Sequence, residues 1–487
     1  MLRSRYEPEA DQSRRGIVRG TDCTAAPRYD FSSVQQRRGG AATEAARTTE
    51  FSLAEIMNHV VGFKCFECAR EHPPADVEYV CPACGGNLDV LYDYDRVREQ
   101  LTKAGLSADR NFTMWRYRAL LPIHESSAVP PLTVGWTPIY DCTRLATRFG
   151  VSRLLIKDDG RNPTASFKDR PSALAVVKAN EAEAGAITTA SSGNAGSALA
   201  GICASIGMKS VIFVPATAPP AKIAQLQIYG ASVVLVEGTY DEAFDLCLAA
   251  AKRYGWYQRS TGVNPFTREG KKTAALEIAE QLSWRAPDKV VVSVGDGNII
   301  SGLWKGFRDL QALGFLDRVP QLIGVQAETA SPIVEAANGD GIVREGPSHT
   351  IADSINVGRP RDATAAIRAI RDSGGRGVKI NDSEIIAAIT ELARATGVFA
   401  EPAAAAAFAG FKAMSASGMI RSDETVLLML TGNGLKDIDA VRGAVKEPMR
   451  VRPDMDELSR LIDSKNDHIT MRGSRRNDRS NSTSNEV

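Results

Sequence analysis

Short apolar runs alternate with helix-forming stretches through most of the chain. The first clear runs are residues 153–157 and 186–190, and each is followed by a loop rich in glycine, serine or proline and then by a stretch of helical character. Five further apolar runs repeat this succession, at residues 210–215, 232–237, 289–294, 321–326 and 424–430. Strands that alternate with helices predict an α/β fold with parallel sheets covered on both faces. In such folds ligands bind at the carboxyl ends of strands, so a site is expected in the loops that follow these runs.

One of these loops carries a lysine at the point where a helix is predicted to begin. The segment NPTASFKDR, residues 162–170, follows the run at 153–157 and places Lys168 at the helix start. The partial positive charge of a helix N-terminus disfavours a second cation there, which favours the neutral amine that can attack an aldehyde. On spacing alone, a solvated lysine at the start of a surface helix remains the alternative.

Three further loops are rich in glycine and polar side chains. They are SSGNAG at residues 191–196, GDGNIISG at 295–302 and TGNGLKD at 431–437. The first two lead into predicted helices, whose free N–H groups suit a carboxylate or a phosphate. Segment 295–302 lacks the Gly-Lys-Ser/Thr of a P-loop, and its third glycine comes too late for the dinucleotide fingerprint, so a monophosphate fits better than a nucleotide. Taken singly, each loop could also be a helix cap or a glycine-rich turn.

Four of the eight cysteines form two closely spaced pairs. Cys65 and Cys68 are followed, after twelve residues, by Cys81 and Cys84. Two C-x-x-C pairs at this separation suit a tetrahedral zinc ion, and four thiolates leave no open coordination position, so the metal is expected to be structural. A redox pair and unligated thiols are the alternatives.

Composition and charge argue against several classes of protein. The chain has 487 residues with 59 basic and 58 acidic side chains, a balance that gives no bulk attraction to nucleic acid or to an anionic membrane. No run reaches the ~20 apolar residues of a membrane span. The N-terminus lacks the apolar segment of a secretory signal and carries early acidic residues, so we expect a cytoplasmic protein. None of the five histidines lies in the glycine-rich loops, which argues against Ser-His-Asp or His-metal catalysis.

The order of these loops along the chain resembles that of a known enzyme group. A lysine loop, a Ser-Gly-Asn loop, a Gly-rich loop and a Thr-Gly-Asn-Gly loop follow one another as in the tryptophan-synthase-β-like, or fold-type II, pyridoxal-phosphate enzymes. Within that group the chain looks most like the threonine synthases, some of which also begin with a ribbon of paired cysteines. The resemblance runs from about Gly62 to Ala440. It implies an α/β fold of two parallel-sheet, three-layer domains preceded by a small zinc ribbon.

The expected domain organisation has five parts. In chain order they are a disordered tail at 1–52, the zinc ribbon at 53–100, the large pyridoxal-phosphate-binding domain at 101–180 and 262–464, the small α/β domain inserted into it at 181–261, and a disordered tail at 465–487. The two tails are so interpreted because they lack the apolar content that an ordered core requires.

The resemblance also implies a role for each motif. Lys168 would hold the cofactor as a Schiff base and shuttle protons. The cofactor's ring and phosphate would be bound by Phe167, Asn194, Gly295, Asp296, Gly297, Asn298, Ile299 and Thr431, with Asn194 at its 3′-oxygen and Thr431 at its pyridine nitrogen. The substrate side would be lined by Ser191, Ser192, Asn264, Thr267 and Arg268. A structural zinc ion would be held by Cys65, Cys68, Cys81 and Cys84.

The implied reaction converts O-phospho-L-homoserine and water into L-threonine and phosphate. The only expected partners are this small amino-acid substrate and, as a candidate assembly, a second copy in a homodimer. Two positions depart from the family pattern, because Ala165 stands where glycine is usual and Ala195 where threonine usually follows the asparagine. A paralogue that acts on another amino acid, as a serine or threonine dehydratase or a cysteate synthase does, therefore stays open. So does a zinc-ribbon binding protein with an inactive cofactor domain, although the intact Lys168 argues against it.

Overall fold

The structure, a computed structural model, describes residues 59–445 and 447–464. The predicted tails at 1–52 and 465–487 lie outside these described residues. Within the described ranges, no helix is both long enough and apolar enough to cross a membrane.

Three separate sheets organise the described chain. The strands are β1 (Val60–Cys65), β2 (Glu71–His72), β3 (Leu88–Tyr92), β4 (Ile139–Asp141), β5 (Arg153–Asp158), β6 (Ile187–Ala190), β7 (Ser210–Pro215), β8 (Ser232–Val236), β9 (Tyr257–Gln258), β10 (Lys289–Ser293), β11 (Gln321–Ala327), β12 (Arg376–Ile380) and β13 (Thr425–Leu430). The helices are α1 (Tyr94–Gln100), α2 (Lys103–Ala108), α3 (Thr143–Phe149), α4 (Asp169–Glu181), α5 (Asn194–Ile206), α6 (Pro220–Ile228), α7 (Tyr240–Tyr254), α8 (Phe266–Gln281), α9 (Asn298–Ala312), α10 (Pro332–Asn338), α11 (Ala363–Asp372), α12 (Asp382–Thr396), α13 (Pro402–Ala416), α14 (Asp439–Arg442) and α15 (Met455–Ser464). Every apolar run predicted as a strand is confirmed, with each end within one residue of the prediction.

The largest sheet has six strands in the order β12-β11-β10-β13-β5-β4. All neighbours are parallel except β4, which runs antiparallel to β5 at one edge. Successive side chains of a central strand enter two different cores, since Val290 and Val292 pack on one face and Val291 on the other. Helices cover both faces, so the sheet is the middle of three layers, and its central strands β11, β10 and β13 are largely apolar, as buried parallel strands require.

A second, smaller parallel sheet has the order β8-β7-β6-β9. Its strands also alternate between two cores, because Ile212 packs with Leu226 of α6 while Phe213 packs with Phe244 of α7. All four strands fall within the predicted small domain, residues 181–261. Two helix-covered parallel sheets confirm the predicted fold class.

The paired cysteines belong to a ribbon built on a three-stranded antiparallel sheet, β2-β1-β3, and this ribbon is fastened to helix α8. Cys65 ends β1, and the other three cysteines lie in the loops between the strands. Arg268 donates a hydrogen bond to the Leu88 carbonyl over 2.6 Å, and its guanidinium lies 4.4 Å from the centre of the Phe66 ring. At the next residue of the helix, Glu269 accepts a hydrogen bond from the Tyr92 hydroxyl over 2.6 Å. Charged side chains of α8 therefore hold the ribbon against the large domain.

A buried ionic cluster connects strand β5, the loop after it, and helices α4 and α8. The Arg170 guanidinium lies 2.6 Å from Asp159 and 2.5 Å from Glu277, and the Lys157 ammonium lies 2.7 Å from Glu277. All four side chains are fully buried. Although burial raises the pKa of Glu277, the two adjacent cations outweigh it and lower this pKa to about 2. The cluster is held together because each charge has an opposite charge in contact.

Glu277→Gln should lower the free energy of unfolding by about 3–5 kcal/mol, because it leaves Arg170 and Lys157 without one of their counter-charges. Since the pKa of Glu277 is lower in the folded protein, its stabilisation is present above the ordinary value of 4.5 and is lost as the pH falls toward 2. Urea unfolding at pH 7 and at acidic pH measures both effects. Asp141→Asn removes the exposed ion pair with Arg153 and serves as the control, with little expected change. Equal losses in the two variants would contradict the prediction.

Candidate active site

Two cavities meet at Lys168, where the carboxyl ends of strands from the two parallel sheets face each other. The glycine-loop cavity is lined by residues 293–300, Lys168, Thr261, Lys271, Ser354, Ile355, Glu401, Ala403 and Thr431. The serine-loop cavity is lined mainly by residues 189–195, 215–219, 259–261, 353–354 and 356–359, together with Lys168, Lys222, Tyr240, Asp241, Phe244, Asp296, Ser348 and Arg361. Lys168, Thr261, Asp296 and Ser354 border both cavities, so a ligand in one can reach a ligand in the other.

The loop before helix α4 fixes the position of Lys168. The Phe167 amide donates to the Thr431 carbonyl over 2.8 Å, which joins the lysine loop to the Thr-Gly-Asn-Gly loop. The Asp169 carboxylate accepts two hydrogen bonds from Thr164, at 2.6 and 2.9 Å. Ala165 between them has φ +64°, a left-handed conformation that favours glycine, and this is the position where glycine is usual in the family. The backbone around the lysine is therefore held on both sides.

The Lys168 amine lies among buried charged groups. Burial is the largest cause that lowers its pKa, and the nearby Arg259 lowers it further, while Glu401 and Asp296 act in the opposite direction. The sequence argument ascribed a neutral amine to the helix N-terminus. In the structure it is chiefly burial that lowers the pKa and favours the neutral amine, and the side chain lies on a cavity wall and not on a solvated helix surface.

The glycine-rich loop between β10 and α9 has the shape of an anion cradle. Gly297 has φ +94°, and a Cβ there would lie 2.7 Å from the Ala366 side chain, so the loop must approach its neighbours closely. The first bond of the helix runs from the Ser301 amide to the Gly297 carbonyl, which leaves the preceding amides without acceptors inside the helix. The buried Lys271 ammonium contacts the side-chain oxygen of Asn298 beside these amides. One helix start and one cation together suit a phosphate monoester.

Glu401 is a site residue that the sequence analysis missed. Its two carboxylate oxygens accept hydrogen bonds from the Asn194 amide at 3.0 and 2.9 Å. Burial raises its pKa, while Asn194 and Lys168 lower it. A Cβ at Gly432 would collide with this carboxylate, so the Thr-Gly-Asn-Gly loop needs glycine at that position. The Glu-Pro pair directly before the Ala-rich helix α13 was the available signal.

Arg259 is the second missed residue. It follows the two-residue strand β9, is 1% exposed and borders the serine-loop cavity. Its guanidinium donates to the hydroxyl groups of Ser172 and Thr261 over 3.2 and 3.3 Å. Burial lowers its pKa to about 10. Its place at the carboxyl end of a parallel strand was the signal that could have identified it.

Most predicted site residues line the two cavities. The glycine-loop cavity contains Lys168, Gly295, Asp296, Gly297, Asn298, Ile299 and Thr431, and the serine-loop cavity contains Ser191, Ser192 and Asn194.

Four predicted residues do not border either cavity. Phe167 is buried in the core of the large domain. Asn264 hydrogen-bonds the Gln258 carbonyl, and Thr267 bonds the Asn264 carbonyl, each over 2.8 Å, so both stabilise the start of α8. Arg268 points to the ribbon, as described above, and its second partner is Asp362, which lies 2.5 Å away.

The four ribbon cysteines converge on one point. Their sulfur atoms all lie within 4.8 Å of one another, with 3.5 Å between Cys65 and Cys84 and 3.7 Å between Cys68 and Cys81. A tetrahedral zinc ion with Zn–S bonds of about 2.3 Å would separate its sulfur ligands by about 3.8 Å. The cluster is therefore able to bind a metal ion, as the spacing predicted.

Comparisons with known proteins agree with this geometry. A family model described as pyridoxal-phosphate dependent enzyme matches residues 131–432. A solved structure of the processed form of threonine deaminase isoform 2 from Solanum lycopersicum has a similar fold, with a TM-score of 0.55 and 22% identity over 72% of this chain and 90% of that chain.

Sequence relatives are more similar and cover more of the chain. A threonine synthase from Methanocaldococcus jannaschii is 38% identical over 402 residues, which are 82% of this chain and 98% of that protein. A threonine synthase from Methanosarcina acetivorans is also 38% identical, over 82% of this chain and 98% of its own length. The chain therefore belongs to the fold-type II pyridoxal-phosphate dependent enzymes and, within them, to the threonine synthase family.

Proposed function

We propose that this protein converts O-phospho-L-homoserine and water into L-threonine and phosphate. The observation that carries the proposal is a half-buried lysine with a lowered pKa at the junction of two cavities, each of which offers groups for an anion. The substrate and the cofactor each carry a phosphate group. Two anion-binding cavities next to one reactive amine would accommodate both.

Pyridoxal phosphate fits the glycine-loop cavity. The backbone amides of residues 295–299 and the Lys271 ammonium would hold the phosphate of the cofactor. Lys168 would form a covalent bond to the aldehyde carbon of the cofactor. Thr431 would offer a hydroxyl to the pyridine nitrogen, and Asn194, oriented by Glu401, would meet the 3′-oxygen. When bound, the cofactor supplies an electron sink that stabilises negative charge at the substrate's α-carbon.

The substrate would occupy the serine-loop cavity. Ser191, Ser192 and the amides at the start of α5 suit its carboxylate. Lys168, released from the cofactor, would be the base that takes the proton from the α-carbon and returns protons along the chain. Its neutral form at ordinary pH is what burial favours.

The ribbon cysteines would hold one structural zinc ion. Two backbone amides, those of Glu67 and Cys68, point at the Cys65 sulfur over 3.3 and 3.5 Å, and such bonds stabilise a thiolate ligand. The ion would leave no coordination position for substrate.

Purified protein should release phosphate from O-phospho-L-homoserine and form threonine in equal amounts, and Lys168→Ala should lower turnover by at least roughly a thousandfold, because base and covalent anchor vanish together. Lys168→Arg keeps the charge and should be equally inactive. Free-phosphate and amino-acid analysis measure this result. Release of pyruvate or 2-oxobutyrate from phosphoserine or threonine, without use of phosphohomoserine, would instead identify a paralogue. A Lys168→Ala enzyme with normal turnover would refute the lysine's role.

Thr431→Val should keep the visible absorbance of the bound cofactor and slow the exchange of the substrate's α-proton, because valine offers no hydrogen bond to the pyridine nitrogen. Deuterium incorporation followed by NMR measures the exchange. Thr431→Ser retains the hydroxyl and should restore the rate. An exchange rate that is the same in all three proteins would mean that another group meets this nitrogen.

Elemental analysis of protein prepared without chelator should find one zinc ion per chain, and Cys84→Ser should lose most of it, because one of four thiolate ligands is removed. Cys142→Ser changes a buried cysteine of the large domain and should leave the metal content unchanged. Protein without zinc, or with equal zinc in both variants, would exclude this site.

A further inference from the structure

Arg259 differs from the other buried arginines of the described chain in lacking a carboxylate partner. Arg116 pairs with Glu280, Arg170 with Asp159 and Glu277, and Arg268 with Asp362. Arg259 contacts only two hydroxyl groups, and its buried Nη2 has no hydrogen-bond partner in the structure. A buried cation without an adjacent anion is unfavourable in free energy, so Arg259 is suited to bind a negatively charged ligand.

The charged groups around Arg259 do not supply that anion. Arg259 lowers the pKa of both Lys168 and Lys271, and Lys168 also lowers the pKa of Lys271, so three cations share this part of the site. Glu401 accepts two hydrogen bonds from the Asn194 side chain, and Asp296 accepts one from the Arg361 backbone amide over 3.2 Å. Asp296 and Asp169 raise the pKa of Arg259, but neither forms an ion pair with it. The Nη2 atom of Arg259 is therefore available to an anion that enters with a ligand.

The position of Arg259 decides which anion it meets. Lys271 stands at the glycine loop, in the cavity assigned to the cofactor's phosphate, whereas Arg259 borders the serine-loop cavity and is absent from the glycine-loop cavity. The substrate's carboxylate is matched by the start of α5. The remaining anion is the substrate's own phosphate, a group that a guanidinium can bind through two N–H donors.

We propose that Arg259 binds the phosphate of O-phospho-L-homoserine and thereby determines specificity for a phosphorylated substrate. The inference rests on the proposed function. It also explains how the site tolerates Ala195, which lacks the hydroxyl usual in the family, and how it tolerates the position of Arg268 on the ribbon side of α8. The phosphate donor lies instead on the segment after β9.

The test compares variants of the holoenzyme at matched cofactor loading. Arg259→Gln should raise the KM for phosphohomoserine and the inhibition constant of inorganic phosphate roughly tenfold to a hundredfold, the usual effect of losing a hydrogen bond to a charged group. Arg259→Lys keeps the positive charge but cannot donate two hydrogen bonds in parallel. Its KM and its phosphate inhibition constant should lie between those of the unmodified enzyme and of Arg259→Gln. Cofactor absorbance and affinity should stay as in the unmodified protein. Arg116→Lys, a matched change at a buried arginine that pairs with Glu280 outside the cavities, should leave KM and phosphate inhibition unchanged.

Three results separate the hypotheses. Unchanged KM and phosphate inhibition in folded Arg259→Gln, with circular dichroism like that of the unmodified protein, would overturn the inference. So would a selective loss of cofactor affinity, because Arg259 would then serve the cofactor's phosphate. Absence of turnover in the unmodified enzyme, combined with calorimetric binding of inorganic phosphate that Arg259→Gln abolishes, would refute the proposed substrate and support Arg259 as a phosphate site.

Discussion

The site depends on the buried contact between Arg170 and its two carboxylates, Asp159 and Glu277. Arg170 is two residues beyond Lys168, and its partners come from the end of β5 and from α8. The start of α4 is thus fastened to a strand on one side and to a helix on the other, and Lys168 cannot shift without breaking fully buried ion pairs. These ion pairs supply the rigidity that the loop carrying Lys168 lacks by itself.

A second consequence of this arrangement is the electrostatic imbalance of the site. In the buried cluster, Arg170 and Lys157 form ion pairs with Asp159 and Glu277. Lys168, Lys271 and Arg259 border the cavities and form no such ion pair with the described residues. Charges that belong to the fold are paired inside the protein, and charges that belong to the chemistry remain available to ligands. This division favours anionic molecules as ligands of the cavities.

The sequence was sufficient for the fold because buried parallel strands are apolar throughout and are separated by glycine-rich loops. In the two helix-covered sheets it missed β4, β9 and β12. A three-residue edge strand and a two-residue strand carry too few side chains for a pattern, and β12 has Arg376 and Lys379 among only five residues. The cavity residues of the glycine-rich and Ser-Gly-Asn loops were also predictable, because these loops directly follow strand ends. Glu401, Arg259 and Lys271 were not. Helix α8 is buried from Phe266 to Ala279, so no polar stripe shows that Lys271 faces the cavity and Arg268 the ribbon.

Helix α8 contributes to the ribbon, the cavity and the buried cluster at once. Arg268 and Glu269 hold the ribbon, Lys271 faces the glycine loop, and Glu277 belongs to the cluster around Arg170. Each of these charges has its partner on a different part of the chain. A substitution that reverses the charge of one of these side chains would need a compensating substitution at its partner. Few single substitutions along this helix would therefore preserve the structure. Evolution of a new specificity would therefore proceed through the segment after β9 and the Ser-Gly-Asn loop, where side chains end in a cavity and can be exchanged independently.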